Sequence, residues 1–236
     1  NGYRIVSLLQ LGIGVLLLVT HPVWKINGQN ADANGESIGI IGALKIKGVP
    51  FLLTGFFAYC AVEATAMYWA STYLVEVKGI TVDRAAQFAS LFYIGLTIGR
   101  FLGGFIMNKL GDRRMILLGT CILSCGVISL MLPTGNQLVS LIGFIIIGFG
   151  CAPVYPCIIH STPDNFGAEY SGAIIGIQMA SAYVGSTFMP PLFGLLGSLI
   201  SFRILPVYLA VFIILMITMT ELTFKITAKK DGGNRS

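Results

Sequence analysis

An all-α, polytopic bundle of transmembrane helices is the fold class this sequence predicts, and three observations predict it. Hydrophobic residues make up 55% of the 236-residue chain and charged residues only 11%, with a mean hydropathy of +0.83. A soluble domain carries about a quarter charged residues to cover its surface. Seven apolar runs, at 3–23, 49–77, 85–108, 115–132, 137–159, 169–196 and 202–224, come near or exceed the ~20 residues that a spanning helix needs. The basic residues gather at alternating ends of these runs, as they do in a chain that weaves through a bilayer.

The breaks between the runs have turn chemistry. They are Asn27-Gly28 through Asn34-Gly35, Lys78-Gly79, Gly111-Asp112, Pro133 to Asn136, Pro163-Asp164-Asn165, and Gly194 to Ser201. Only residues 24–47 are long and polar enough to link separate units. The division that follows is a transmembrane helix at 1–23, a loop at 24–47, a six-helix bundle at 48–228 and a tail at 229–236.

Orientation comes from Lys and Arg, which are enriched in cytoplasmic loops. One set of loop ends holds Lys25, Lys45, Lys47, Lys109, Arg113, Arg114, Lys225, Lys229, Lys230 and Arg235; the other holds Arg4, Lys78, Arg84 and Arg203. The first set belongs in the cytoplasm, so the amino terminus lies outside, the carboxy terminus lies inside, and the expected location is the plasma membrane. The net charge of +5 reflects this topology. A nucleic-acid partner is not expected, because the charges sit at helix ends and form no surface stripe. The chain starts at Asn1 where a nascent protein shows Met, which reads as part of a longer polypeptide. The competing account, a signal peptide at 3–23, conflicts with the length of that run and with its His21-Pro22-Val23-Trp24 ending, which offers no small-residue cleavage site.

The five cysteines, Cys60, Cys121, Cys125, Cys151 and Cys157, fall inside apolar runs and have neither a His nor a second Cys pair at metal-site spacing. They read as buried thiols, and no metal or cofactor is expected. The Asn234-Arg235-Ser236 sequon lies on the cytoplasmic tail, out of reach of glycosylation. No metalloprotease, phosphate-loop, nucleophile-elbow or dinucleotide signature is present, which leaves enzymes and ATP-driven pumps without machinery.

The turn after the third run carries the most specific pattern: Gly104, Asn108, Lys109, Gly111, Arg113 and Arg114. Gly111 suits a tight helix-to-helix turn, and the cations anchor the helix ends at the headgroups. This pattern resembles the loop signature of the major facilitator superfamily, with Asn108 where an aspartate is usual. Ile98 to Gly104, the broken stretch Gly148 to Pro156, and Gly172 to Gly194 with Pro190-Pro191 are similar to the helices of its carboxy-terminal half. The resemblance implies helices six to twelve of a twelve-helix transporter: one helix of the amino-terminal half, the central cytoplasmic loop and the carboxy-terminal bundle. The pattern of Glu63, Trp69 and Tyr73 with Val154-Tyr155-Pro156 is weakly similar to that of the fucose permease branch. The first five helices are absent, so the partners the family resemblance implies are membrane lipid, a small solute, and the amino-terminal half of the same transporter or a second copy. It also implies a gating role for Arg100, Gly104, Asn108, Lys109, Gly111, Arg113 and Arg114, whose cations would bind carboxylates or helix ends of a neighbouring bundle in one conformation only. The other reading of these residues is a plain positive-inside hairpin.

Within the spans, Glu63 is the most consequential residue, because an ionised side chain there costs at least about 2.5 kcal/mol. It should face a cavity or be protonated. Tyr59 and Met67 lie one turn either side of it, and Trp69 and Tyr73 lie further out, as an interfacial belt or a binding platform. Arg100, about 15 Å from its cytoplasmic end by helical rise, can snorkel, pair with a carboxylate or bind solute. Pro153 and Pro156 free carbonyls at depth, with Tyr155 between them. Gln178 is either interhelical glue or a solute ligand. The candidate solute- and proton-binding set is thus Glu63, Tyr59, Trp69, Tyr155 and Gln178. Gly95, Gly99 and Gly103 form small-x-x-x-small steps that Gly172 and Gly176 repeat, and close backbone approach is expected at both. Glu221 and Lys225 form an i,i+4 pair, and His160 begins a loop without a partner.

Two function classes follow. One is a secondary transporter moving a small polar solute, such as a sugar, by alternating access with proton coupling through Glu63; drug or metabolite efflux by antiport is its variant. The other is a helical membrane receptor or scaffold that transports nothing.

Overall fold

The structure is a computed structural model that describes residues 2–24, 39–132 and 137–233. All regular structure among the described residues is helical. Residues 25–38 of the expected linker, the turn from Pro133 to Asn136, and the sequon at Asn234 lie outside the described residues, as do the side chains of Asn108, Lys229 and Lys230.

The chain divides into two units, Asn1–Ser37 and Ile38–Ser236. The first contains α1 (Gly2–Trp24), whose stretch Tyr3–Thr20 is long and apolar enough to cross a membrane.

The second unit begins with a departure from the expected linker, since residues 40–45 form a short helix, α2 (Ile40–Lys45). Gly48 then turns the chain at φ 102°, and Pro50 starts α3 (Val49–Glu76), where its missing N–H costs nothing. α4 (Val82–Leu110) follows, with Asp83 in its first turn. Gly111, at φ 75°, closes α4 and opens α5 (Asp112–Met131), as the turn chemistry predicted. The negative charge of Asp112 suits a helix amino terminus.

The fifth apolar run is two helices, α6 (Gln137–Cys151) and α7 (Val154–Phe166). Pro153 and Pro156 have no N–H with which to continue one helix. Pro163-Asp164-Asn165, expected as a turn, instead lies in the last turn of α7, and the reversal occurs at Gly167, where φ is 92°. His160 therefore sits in a helix rather than at the start of a loop. α8 (Ala168–Leu199) runs through the predicted break at Gly194. That glycine serves contact, since a Cβ there would collide with the indole ring of Trp69. A 3-10 turn (Phe202–Ile204), capped by Ser201, leads into α9 (Leu205–Gly233).

Six helical stretches among the described residues are long and apolar enough to span a membrane, α6 and α7 together making one of them. α8 is not among the six, although the sequence predicts a span there. Its 32 residues give ample length, but its serines, glycines and Gln178 dilute the hydropathy.

α3 packs against α8, α9 and α4, and α6 packs against α4 and α5. The middle of α3 is buried on most sides, with Phe56, Ala58 and Tyr59 fully enclosed. Close approach of α4 to α6 is built from glycine on both sides. A Cβ on Gly95 would strike the Ile145 carbonyl and one on Gly148 would strike the Phe92 carbonyl, while Gly99 sits against Phe149 and Ala152. Gly103 has only ordinary contacts with Pro153 and Met115. Gly172 and Gly176 have no atom within 4 Å of a Cβ position, so the close approach expected there is not made among the described residues. Cys60, Cys151 and Cys157 are buried thiols, but Cys121 and Cys125 are exposed because their face of α5 points away from its neighbours.

Candidate functional site

α3, α4, α7 and α8 line a cavity of about 930 Å³. α3 turns Cys60, Glu63 and Met67 toward it, residues spaced by three and four positions and therefore on one helix face, and Trp69 and Thr72 join them further along. Arg100 comes from α4, Tyr155 from α7, and Met179, Tyr183, Thr187 and Pro191 from successive turns of α8.

The two intramembrane charges meet here. Arg100 Nη2 lies 3.6 Å from Glu63 Oε1, with side chains 55% and 19% exposed. The ion pair is beyond good hydrogen-bond length, and much of the guanidinium surface remains open to the cavity. Of the three options the sequence left for Arg100, pairing with a carboxylate is realised, and its exposed donors leave solute binding available.

The aromatic candidates divide. Trp69 lines the cavity, but its ring Nε1 donates to the Pro190 carbonyl at 2.9 Å and its indole packs on Phe193 and Phe202. Tyr155 is half-buried in the wall, its hydroxyl 3.3 Å from Met179 Sδ. Tyr59 is not a cavity residue. It is fully buried and donates at 3.0 Å to the carbonyl of Cys151, the last residue of α6, where the broken helix leaves an acceptor open. Tyr73 is likewise neither belt nor platform, since its buried hydroxyl donates to the Leu130 carbonyl at 2.9 Å. Gln178 is fully buried, and its Oε1 accepts from Thr162 at 3.0 Å, a link between α7 and α8.

A second cavity of about 480 Å³ lies on the other side of Arg100. Gly103, Gly104 and Met107 of α4, Met115 of α5 and Pro153, Pro156 and Cys157 at the α6–α7 break line it. Arg100 and Tyr155 belong to both cavities. They form the partition along α4 between an end near Trp69 and an end near the basic turn.

At that turn, Arg113 makes a two-toothed ion pair with Glu221 of α9, through Nε at 3.1 Å and Nη2 at 2.5 Å. The direct partner of Glu221 is thus Arg113, with Lys225, one turn on along α9, adding an electrostatic contribution. Asp112 Oδ2 lies 2.8 Å from His160 Nδ1, so His160 does have a partner. Both pairs join α5 to a helix of the same unit. Lys109 and Arg114 are exposed, and Gly104 has open space above it. No cluster of three His, Cys, Asp or Glu side chains among the described residues is arranged for a metal.

Sequence reasoning missed Ser186, Thr187 and Tyr183, which α8 adds to the cavity. Their spacing just before Pro190-Pro191 was the available signal.

Comparison with known proteins gives matches to the Major Facilitator Superfamily over residues 2–186 and 51–236. The chain is 31% identical over 162 residues to a probable nitrate/nitrite antiporter of Thermus thermophilus, covering 58% of this chain and 34% of that protein. It is 32% identical over 166 residues to the gallate transporter of Pseudomonas putida, covering 61% and 35%. Its fold matches that of a solved transporter, FucP, in the outward conformation with a TM-score of 0.75 at 16% identity, over 94% of this chain and 53% of that one. The chain spans about a third of the length of the curated relatives it matches.

Proposed function

The chain belongs to the major facilitator superfamily, and from that membership we propose that it forms part of a secondary active transporter that moves a small polar solute by alternating access. The observation that carries the reading is the Glu63–Arg100 pair, two opposite charges 3.6 Å apart in the wall of a large cavity. A carboxylate is held in a membrane span when it pairs, relays protons or binds solute, and this one pairs with Arg100 and has an open cavity before it.

The solute we propose is an anion. The half-exposed Arg100 guanidinium presents a planar fork of donors suited to a carboxylate or phosphate. Two of the relatives are named for gallate and for nitrate and nitrite, both anions. The sugar expected from the sequence becomes, on this reading, an acidic one. Arrival of the anion at Arg100 weakens its hold on Glu63, and a carboxylate that loses its cation in a span takes up a proton more readily. Solute and proton then travel together. The chain sits in the plasma membrane with its carboxy terminus in the cytoplasm and works with an amino-terminal half or a second copy.

The test is uptake and counterflow in vesicles holding the chain with that partner, across a panel of organic anions and neutral sugars. Arg100→Ala should abolish anion uptake, and Glu63→Gln should retain counterflow while losing acceleration by an inward proton gradient. Wild-type vesicles that move no solute, together with tight binding of a native protein, would remove the transport reading.

A further inference from the structure

The α8 wall of the outer cavity differs chemically from the walls made by α3 and α4. α8 is helical through Pro190 and Pro191. Proline has no N–H, so the carbonyls four residues earlier, those of Ser186 and Thr187, lose their helical donors. All four residues line the cavity. Two carbonyls a little further along α8 receive donors from other helices: Met189 takes the Tyr208 hydroxyl and Pro190 takes Trp69 Nε1, both at 2.9 Å. Among the described residues, no side chain donates to the carbonyls of Ser186 or Thr187. Backbone freed in this way within a membrane is tolerated where it meets a cavity.

The side chains add to the two acceptors. Ser186 Oγ makes only a long 3.4 Å contact with the Tyr183 carbonyl, and Thr187 is exposed to the cavity. Carbonyl oxygens only accept hydrogen bonds, so the ligand group that complements them must donate. The same dipoles repel a bare anion. We infer that Ser186 and Thr187, with the two carbonyls freed by Pro190 and Pro191, form a hydroxyl-binding subsite, which makes the solute a hydroxylated organic anion. α3 packs against both α4 and α8, so the cavity has Arg100 on one wall and this subsite on the other. The carboxylate is held at Arg100 while the hydroxyls donate to α8. The inference rests on the anion reading above.

Its test uses two probes with one rigid frame, benzoate and trihydroxybenzoate, titrated calorimetrically into the chain purified with its partner. Wild-type protein should prefer trihydroxybenzoate roughly tenfold or more, the effect of two or more ordinary hydrogen bonds. Thr187→Val removes a hydroxyl, and Pro191→Ala returns an N–H to the Thr187 carbonyl. Each should cut the preference roughly three- to tenfold in protein that still binds benzoate. A preference unchanged in both variants overturns the subsite and leaves the anion reading standing. Binding of neither probe to wild-type protein, or binding that survives Arg100→Ala, overturns the anion reading and the subsite with it.

Discussion

Arg113 and Glu221, 108 residues apart in sequence, are joined by two hydrogen bonds that tie the basic turn to the carboxy-terminal half of α9. The turn is therefore anchored inside its own unit, and any hold it has on a neighbouring bundle falls to Lys109 and Arg114.

This anchor is half-exposed, so its contribution to stability is small, less than about 1 kcal/mol. Glu221→Gln should lower the thermal midpoint by no more than a few degrees. Exchange of the charges, Arg113→Glu with Glu221→Arg, should recover it, and a thermal melt in detergent checks both. A large loss that the exchange does not recover would mean the pair does more than join two helix ends.

Tyr59→Phe removes the donor that serves the Cys151 carbonyl. A buried acceptor left unpaired costs about 1–3 kcal/mol, so this variant should melt earlier than Glu221→Gln while leaving solute affinity nearly unchanged. Abolished solute binding in well-folded protein would return Tyr59 to the binding set.

Glycine substitutions separate two copies of the same small-residue spacing. Gly95→Ala forces a Cβ onto the Ile145 carbonyl, and overpacking of this kind costs about 1–3 kcal/mol. Gly172→Ala meets nothing within 4 Å and should be neutral in the isolated chain. A loss of transport rate in Gly172→Ala when the partner is present would show that the partner packs on that face.

Glu63→Gln should flatten the dependence of uptake on external pH while leaving anion counterflow measurable. The reason is the position of Glu63, the carboxylate within reach of Arg100 in the cavity wall. A pH profile identical to that of the wild type would assign the proton to another group.

Much of the architecture was legible because it depends on short stretches of chain. Apolar runs located α3, α4 and α5 and the start of α9 to within about three residues, since hydropathy and length are local properties. Gly111 was readable as a turn residue because its positive φ is a demand on its own backbone. The glycines at 95 and 99 were readable as contact points, but the same spacing at Gly172 and Gly176 was not distinguishable from them. Which glycine face meets a neighbour depends on the neighbour.

The sequence by itself determined a helical membrane chain, the turns at Gly79 and Gly111, and the two charges that a membrane interior tolerates only with a purpose, Glu63 and Arg100. The tertiary structure alone decided that these two pair, that the Tyr59 hydroxyl donates to a carbonyl of α6, that His160 has Asp112, and that Ser186 and Thr187 share the cavity with them. Each of those facts joins helices distant along the chain. Side-chain spacing on one helix tells which residues share its face, and only packing tells what that face meets.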